Sequence, residues 1–158
     1  VTIVEFMDPA CETCSLFHPF VKDLMKKHKG KVNLVIRYAP FHQGSDVAVK
    51  ILEAARKQGT YWGVLELMYE SQSAWASHHQ PQPVVLWKYL EHYKFDVAQL
   101  KKDMHDPAIT KIIAIDLADA KLLGANKTPT FFVNGRPLTS FGYEQLQSLV
   151  EEEITANY

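Results

Sequence analysis

Cysteine is scarce. The 158 residues contain two, and both stand in one short stretch, Cys11-Glu12-Thr13-Cys14. That scarcity excludes a disulfide-stapled scaffold, which spreads more cysteines over a shorter chain. A bridge between cysteines this close would close a tiny loop and hardly restrict the unfolded chain. The pair therefore suits chemistry better than stabilisation. Charge of one sign is also missing: 17 Lys and Arg against 18 Asp and Glu leave a formal net charge of −1. This argues against nucleic acid as a partner, which calls for a basic patch or excess. It argues against disorder too, because disorder needs high net charge and low hydrophobicity, and 47% of the residues here are apolar. No apolar run approaches the roughly 18 residues of a membrane span, so the chain reads as soluble and globular. Internal repeats and low-complexity segments are absent. An initiator Met, a basic n-region and an apolar h-region are absent as well, and Val1 opens directly onto a strand-like segment; the expectation is that a signal peptide and leader have been removed or trimmed away.

What is present reads as alternating strands and helices within a single domain, residues 1–158. Thr2 to Met7 is short, apolar and β-branched, as a buried strand would be, and Asp8-Pro9 breaks it. From Cys11 the period changes: Cys14, Phe17, Val21, Leu24 and Met25 recur at helical spacing, with a stop near Gly30 and a kink expected at Pro19. Val32 to Tyr38 reads as a second buried strand, and the β-α-β order implies a parallel pair. A helical region follows, with segments over Asp46–Lys57, Tyr61–Ser71, Val84–Tyr93, Val97–His105 and Pro107–Leu123. Residues 72–83 read as a polar loop with two prolines. Thr130–Val133 and Pro137-Leu138 flank Asn134-Gly135, a strong hairpin signal, and Tyr143–Ile154 makes a last helix.

Cys-x-x-Cys at a strand-to-helix junction has a physical consequence. Unpaired N–H groups and the helix dipole favour negative charge at Cys11, which lowers its thiol pKa and makes it the nucleophile. Cys14, one turn further in, suits the resolving role: the Cys11 thiolate forms a mixed disulfide and Cys14 breaks it. The competing reading is metal binding, with copper or zinc held by Cys11, Cys14 and His18, although structural zinc normally takes four ligands and no second Cys pair exists. A redox-inert interaction module is a third possibility, which an intact Cys pair makes less natural. His78, His79, Trp62, Trp75 and Trp87 read as loop and core residues. Glu5 interrupts the first strand. Either it faces solvent from an edge, or it is buried between apolar neighbours, where a raised pKa would let it exchange a proton with Cys14. Thr128-Pro129 precedes the hairpin, and sequence alone does not assign its peptide isomer.

Taken together, Val4-Glu5-Phe6-Met7-Asp8-Pro9-Ala10-Cys11-Glu12-Thr13-Cys14, Pro19, and Thr128-Pro129-Thr130-Phe131-Phe132-Val133-Asn134-Gly135 resemble the thioredoxin superfamily. The long helical block resembles its DsbA-like branch. The resemblance implies an α/β fold of thioredoxin type, with a core over 1–44 and 125–158 and a helical insertion over 45–124. It implies a protein thiol-disulfide oxidoreductase with Cys11 as exposed nucleophile, Cys14 as its buried partner and Glu5 as the buried acid. Pro129 matches the cis-proline facing the disulfide, and Thr128 the residue whose backbone pairs with a bound peptide. It further implies export to the bacterial periplasm or cell envelope, cysteine-containing protein substrates, a membrane-bound redox partner and no bound cofactor beyond the Cys11–Cys14 disulfide. One departure stands out. DsbA-like oxidases commonly carry Pro-His or Pro-Tyr between the cysteines, whereas this chain has Glu12-Thr13. A negative Glu12 beside Cys11 should raise its thiol pKa relative to those oxidases and make the disulfide a milder oxidant.

Overall fold

The computed structural model describes residues 1–158. Four strands form one sheet: β1 (Thr2–Met7), β2 (Asn33–Tyr38), β3 (Thr130–Val133) and β4 (Arg136–Pro137). Their spatial order is β2-β1-β3-β4. β1 runs parallel to β2, with Glu5 opposite Ile36, and antiparallel to β3, with Glu5 opposite Phe131. The crossover between β1 and β2 is helix α1 (Glu12–Lys27), which runs through Pro19 as one helix.

β1 pairs along both edges, and apolar clusters cover both its faces, with Ile3 packed on one side and Phe6 on the other, which accounts for its near-continuous apolar run. β2, expected to be a buried strand, is instead an edge strand, with Asn33 and Val35 exposed and only Tyr38 fully buried. Its apolar β-branched composition does not distinguish an edge from a centre, because β-propensity reports fit to a pleated surface rather than position in the sheet.

Between β2 and β3 the chain forms α2 (Ser45–Lys57), α3 (Tyr61–Glu70), α4 (Gln72–Trp75), a 3₁₀ turn (Ser77–His79), α5 (Pro83–His92), α6 (Val97–Asp103) and α7 (Pro107–Leu122). The stretch expected to be a polar loop therefore contains α4 and the 3₁₀ turn. Trp75 explains the difference: it is fully buried and its indole N–H donates to Met68 O at 2.8 Å. Pro83 occupies the first turn of α5, where its missing N–H costs nothing. Asp96 and Asp106 cap α6 and α7 by accepting from Gln99 N and Ala108 N. The final helix, α8 (Tyr143–Asn157), continues three residues beyond Ile154.

Two cores flank the site. Ile3, Phe17, Val21, Phe131, Leu146 and Val150 pack α1 and α8 against one face of the sheet. Met7, Cys14, Tyr38, Leu52, Leu65, Trp75 and Leu90 join the end of that layer to the helical block. On the opposite face Phe6, Ala39, Ala120 and Ala125 pack α7 onto the sheet. Cys14 thus belongs to the core shared by the sheet and the helical block.

Candidate functional site: a dithiol at the start of helix α1

The turn between β1 and α1 places Cys11 at the helix N-cap in extended conformation, φ −81 and ψ 119. A cap normally uses a side-chain oxygen to accept from the exposed N–H groups of the first turn. Here the Cys11 sulfur does so, accepting from Cys14 N at 3.1 Å. On its other side Cys11 Sγ donates to Thr128 O at 3.3 Å. Residues 117 positions apart are thereby joined. The Thr128-Pro129 peptide is cis, and Thr130 Oγ1 donates to Lys127 O at 2.6 Å, bracing the same turn. Cys11 and Cys14 are both free thiols. Cys11, expected to be exposed, is only 6% exposed, because the turn that caps α1 directs its sulfur onto the Thr128 carbonyl, and Cys14 is fully buried.

The two thiols differ in acidity. The Cys11 pKa is lowered to about 6, because the Cys14 thiol beside it, the Thr128 side chain and the Cys14 N–H together outweigh the opposing effects of burial and of the Asp8 charge. Cys14 is pushed the other way, chiefly by burial, then by its hydrogen bond to Cys11 and by the negative charge of Cys11 and Glu5. A thiol near 6 lies between the figures of about 7 for thioredoxin and about 3.5 for DsbA. The negative charge that opposes the Cys11 thiolate is the buried Asp8. The sequence pointed to Glu12, which is exposed on the first turn of α1.

Glu5 lies on the central strand, 1% exposed, and its Oε1 has no hydrogen-bond partner. Burial first, and the Cys11 charge second, raise its pKa to about 8. The solvent-facing alternative for Glu5 is thus excluded, and at neutral pH it holds a proton electrostatically coupled to Cys14.

His18 does not join the thiols. It stacks against Trp62 and lies over Tyr69, with Nε2 3.7 Å from Glu66 Oε1. Burial lowers its pKa against the pull of Glu66. No group of three or more His, Cys, Asp or Glu side chains is arranged to hold a metal ion.

Three residues that the sequence left unassigned shape the site. Gln72 of α4 is buried, and its Nε2 donates to Pro9 O at 2.9 Å and to Cys11 O at 3.0 Å, gripping the turn from the helical block. Asp8, fully buried, accepts from Ala10 N at 2.9 Å, while its own carbonyl accepts from Cys11 N at 3.0 Å. Its other carboxylate oxygen accepts from His42 N at 3.1 Å and lies 2.7 Å from His42 Nδ1. Only an Asp directly before Pro, in the turn that carries Cys11, could have hinted at this. Gln72 and His42 carry no local signal.

An acidic capping thiol, a buried partner thiol, a buried protonated acid and a cis-proline turn define a dithiol centre of the thioredoxin class. Comparisons with known proteins agree. A family model described as thioredoxin matches residues 1–152. The chain belongs to the thioredoxin family and has the DsbA-like form of its fold. Among solved structures, a thioredoxin-like oxidoreductase from Silicibacter pomeroyi DSS-3 is 30% identical, with a TM-score of 0.82 over 98% of this chain and 86% of that one. A probable disulfide bond formation protein D from Bacillus anthracis is 29% identical over 98% of this chain and 74% of its own. A Na(+)/H(+) antiporter NhaA from Herminiimonas arsenicoxydans is 33% identical over 87% of this chain and 21% of its own. The chain thus spans about a fifth of the length of the antiporter sequences it matches. No helix is long and apolar enough to cross a membrane.

Proposed function

We propose that this chain is a protein thiol-disulfide oxidoreductase that donates a Cys11–Cys14 disulfide to cysteine-containing proteins. The observation carrying this reading is the Cys11 sulfur, which caps α1 and bonds Thr128 O, with its pKa lowered to about 6. A client thiolate attacks Cys11 Sγ, the Cys11–Cys14 bond breaks, and its electron pair leaves on Cys14. Cys14, whose thiol is pushed up by burial, takes a proton for which Glu5 is the buried donor. A second client thiolate then attacks the client sulfur of the mixed disulfide, and Cys11 departs as a stabilised thiolate. The client loses two electrons and gains a disulfide, and the pair is left reduced. In the disulfide and in the mixed disulfide Cys11 has no S–H to donate, so the Thr128 carbonyl that it bonds in the reduced form is free to accept a backbone N–H of the client. No resident cofactor takes part. We place the protein in the exported compartment, the periplasm or cell envelope, where a disulfide-bearing partner at the membrane reoxidises the pair. A thiol near 6 supports a milder oxidant than the strongest members of the class.

The test is catalysed oxidation of a reduced unfolded protein by the oxidised chain. Cys11→Ser is expected to abolish turnover. Cys14→Ser, whose Cys11 thiolate can break a disulfide of an oxidised client but has no partner thiol to resolve the product, is expected to accumulate a mixed disulfide at Cys11 when given that oxidised client. Full turnover by Cys11→Ser would refute the reading.

A further inference from the structure

Asp8 presents an electrostatic problem at the base of the reactive turn. Its side chain is fully buried. Its carbonyl binds the N–H of Cys11, so its charge sits one turn from the sulfur and opposes the thiolate there. A carboxylate with no solvent requires a compensating cation or a full set of donors. The Ala10 N–H serves one carboxylate oxygen, at 2.9 Å, and no Lys or Arg pairs with either. The side chain within ion-pair distance is His42, whose Nδ1 lies 2.7 Å from Asp8 Oδ2. His42 also gives its backbone N–H to the same oxygen.

His42 is in turn held by the helical block. His79 lies parallel to it, with ring centroids 5.1 Å apart and planes 9° apart. His78 and His79 reach this position with φ of 55 and 58, in the left-handed region that non-glycine residues seldom adopt. The loop carrying His42 ends at Gly44, φ 94, where a Cβ would stand 3.4 Å from Pro81 O. Backbone strain is therefore concentrated where it seats one imidazole on another. Two stacked imidazolium rings would repel, so the stack accommodates one cation, and the ring bonded to the buried carboxylate is the one that gains from it. Asp8, from the turn before α1, and His79, from the 3₁₀ turn, are the titratable groups that face His42; the neighbouring cleft is lined by Gln43, Gly44, Gln80, Pro81 and Gln82, none of them charged.

We infer that His42 is a positioning residue for the dithiol chemistry: as an imidazolium paired with Asp8 and backed by His79, it cancels the Asp8 charge beneath Cys11 and sets how readily Cys11 ionises. The inference rests on the redox reading of Cys11. It assigns to the loop after β2 and to the strained His78-His79 turn a role in tuning a sulfur that neither of them bonds.

Thiolate absorbance of the reduced full chain, followed as a function of pH, tests it. Asn at position 42 keeps a donor towards Asp8 and removes the charge. His42→Asn is expected to lower the thiolate fraction at pH 6 roughly two- to five-fold, and Asp8→Asn to raise it. With Asp8→Asn already in place, His42→Asn is expected to change the fraction far less. An unchanged titration in His42→Asn, or an equal fall with and without Asp8, overturns the inference. The unmutated protein gives a check independent of the folding of any variant. At pH 6 the ¹⁵N signals of His42 should be those of a ring protonated on both nitrogens, and a neutral ring would overturn the assignment. The two readings fail separately. An unmutated chain with no thiol-oxidising activity refutes the redox reading, whereas an active chain with an unchanged His42→Asn titration refutes only the role of His42.

Discussion

At the scale of single residues, the site works by driving neighbouring groups apart in acidity. Cys11 and Cys14 carry the same thiol, yet one is exposed to helix N–H groups and the other is sealed in the core, so one ionises easily and the other resists. Glu5 is held protonated by the same burial. Its folded pKa of about 8 lies above the ordinary 4.5, so its contribution to stability is complete below pH 4.5 and lost as pH rises through 8. Cys11 has the opposite sign: lowered from 9.0 to about 6, it contributes stability above pH 9 that is lost as pH falls through 6. The two trends overlap, and the difference between wild type and Glu5→Gln isolates Glu5. Urea unfolding of the reduced proteins should find Glu5→Gln gaining on wild type between pH 5 and pH 8.5, by on the order of 3 kcal/mol. Parallel pH profiles would show that Glu5 is not the buried acid described here.

At the scale of elements, the reactive turn is gripped from three directions. Thr128 holds the sulfur, Asp8 holds the Cys11 N–H, and Gln72 holds the carbonyls of Pro9 and Cys11. α4 is a single turn with four residues, and these two hydrogen bonds are its tie to the site. Replacing Gln72 with Ala leaves two carbonyls without a side-chain donor and should cost about 1–3 kcal/mol in thermal or urea unfolding. Gln72→Glu is expected to be worse, because a carboxylate cannot donate to those carbonyls and adds negative charge beside Cys11; its thiolate titration should move upward in pH, whereas Gln72→Ala should move it less. Much of this scale was legible in the sequence. The period change after Asp8-Pro9, the Asn134-Gly135 turn and the helical stripes located every strand and the longer helices. Residues 72–83 read as a loop because their sequence is polar and proline-bearing. Trp75 turns inward there, and only the core it enters could reveal that.

At the scale of the whole molecule, the sheet and the helical block share one core, and the site lies where they meet. Trp75 is its largest fully buried side chain. Trp75→Ala should cost about 3–5 kcal/mol, read as a fall of roughly 10 °C in Tm. Because Gln72 and the His78-His79 turn flank Trp75, the loss should also alter the Cys11 titration, although residue 75 bonds neither thiol. An altered Tm with an unchanged titration would mean that the block stabilises the fold without shaping the site. The network of Tyr38, Glu53, Tyr61 and Arg56 ties β2 to α2 and α3 in the same core, with Tyr38 Oη 2.5 Å from Glu53 and 2.9 Å from Tyr61.

The sequence by itself determined the chemistry: two cysteines at a strand-to-helix junction, an acid in an apolar strand, and a Thr-Pro before a hairpin. These are local patterns, and local patterns carry turn chemistry, helical period and the field of a helix terminus. Tertiary structure decided how the chemistry is tuned. It brought Thr128 to Cys11, made Asp8 rather than Glu12 the opposing charge, and placed Gln72 and His42 around the turn. Those contacts join residues that share no pattern along the chain. Burial and charge act through space, and the chain must fold before either can be felt.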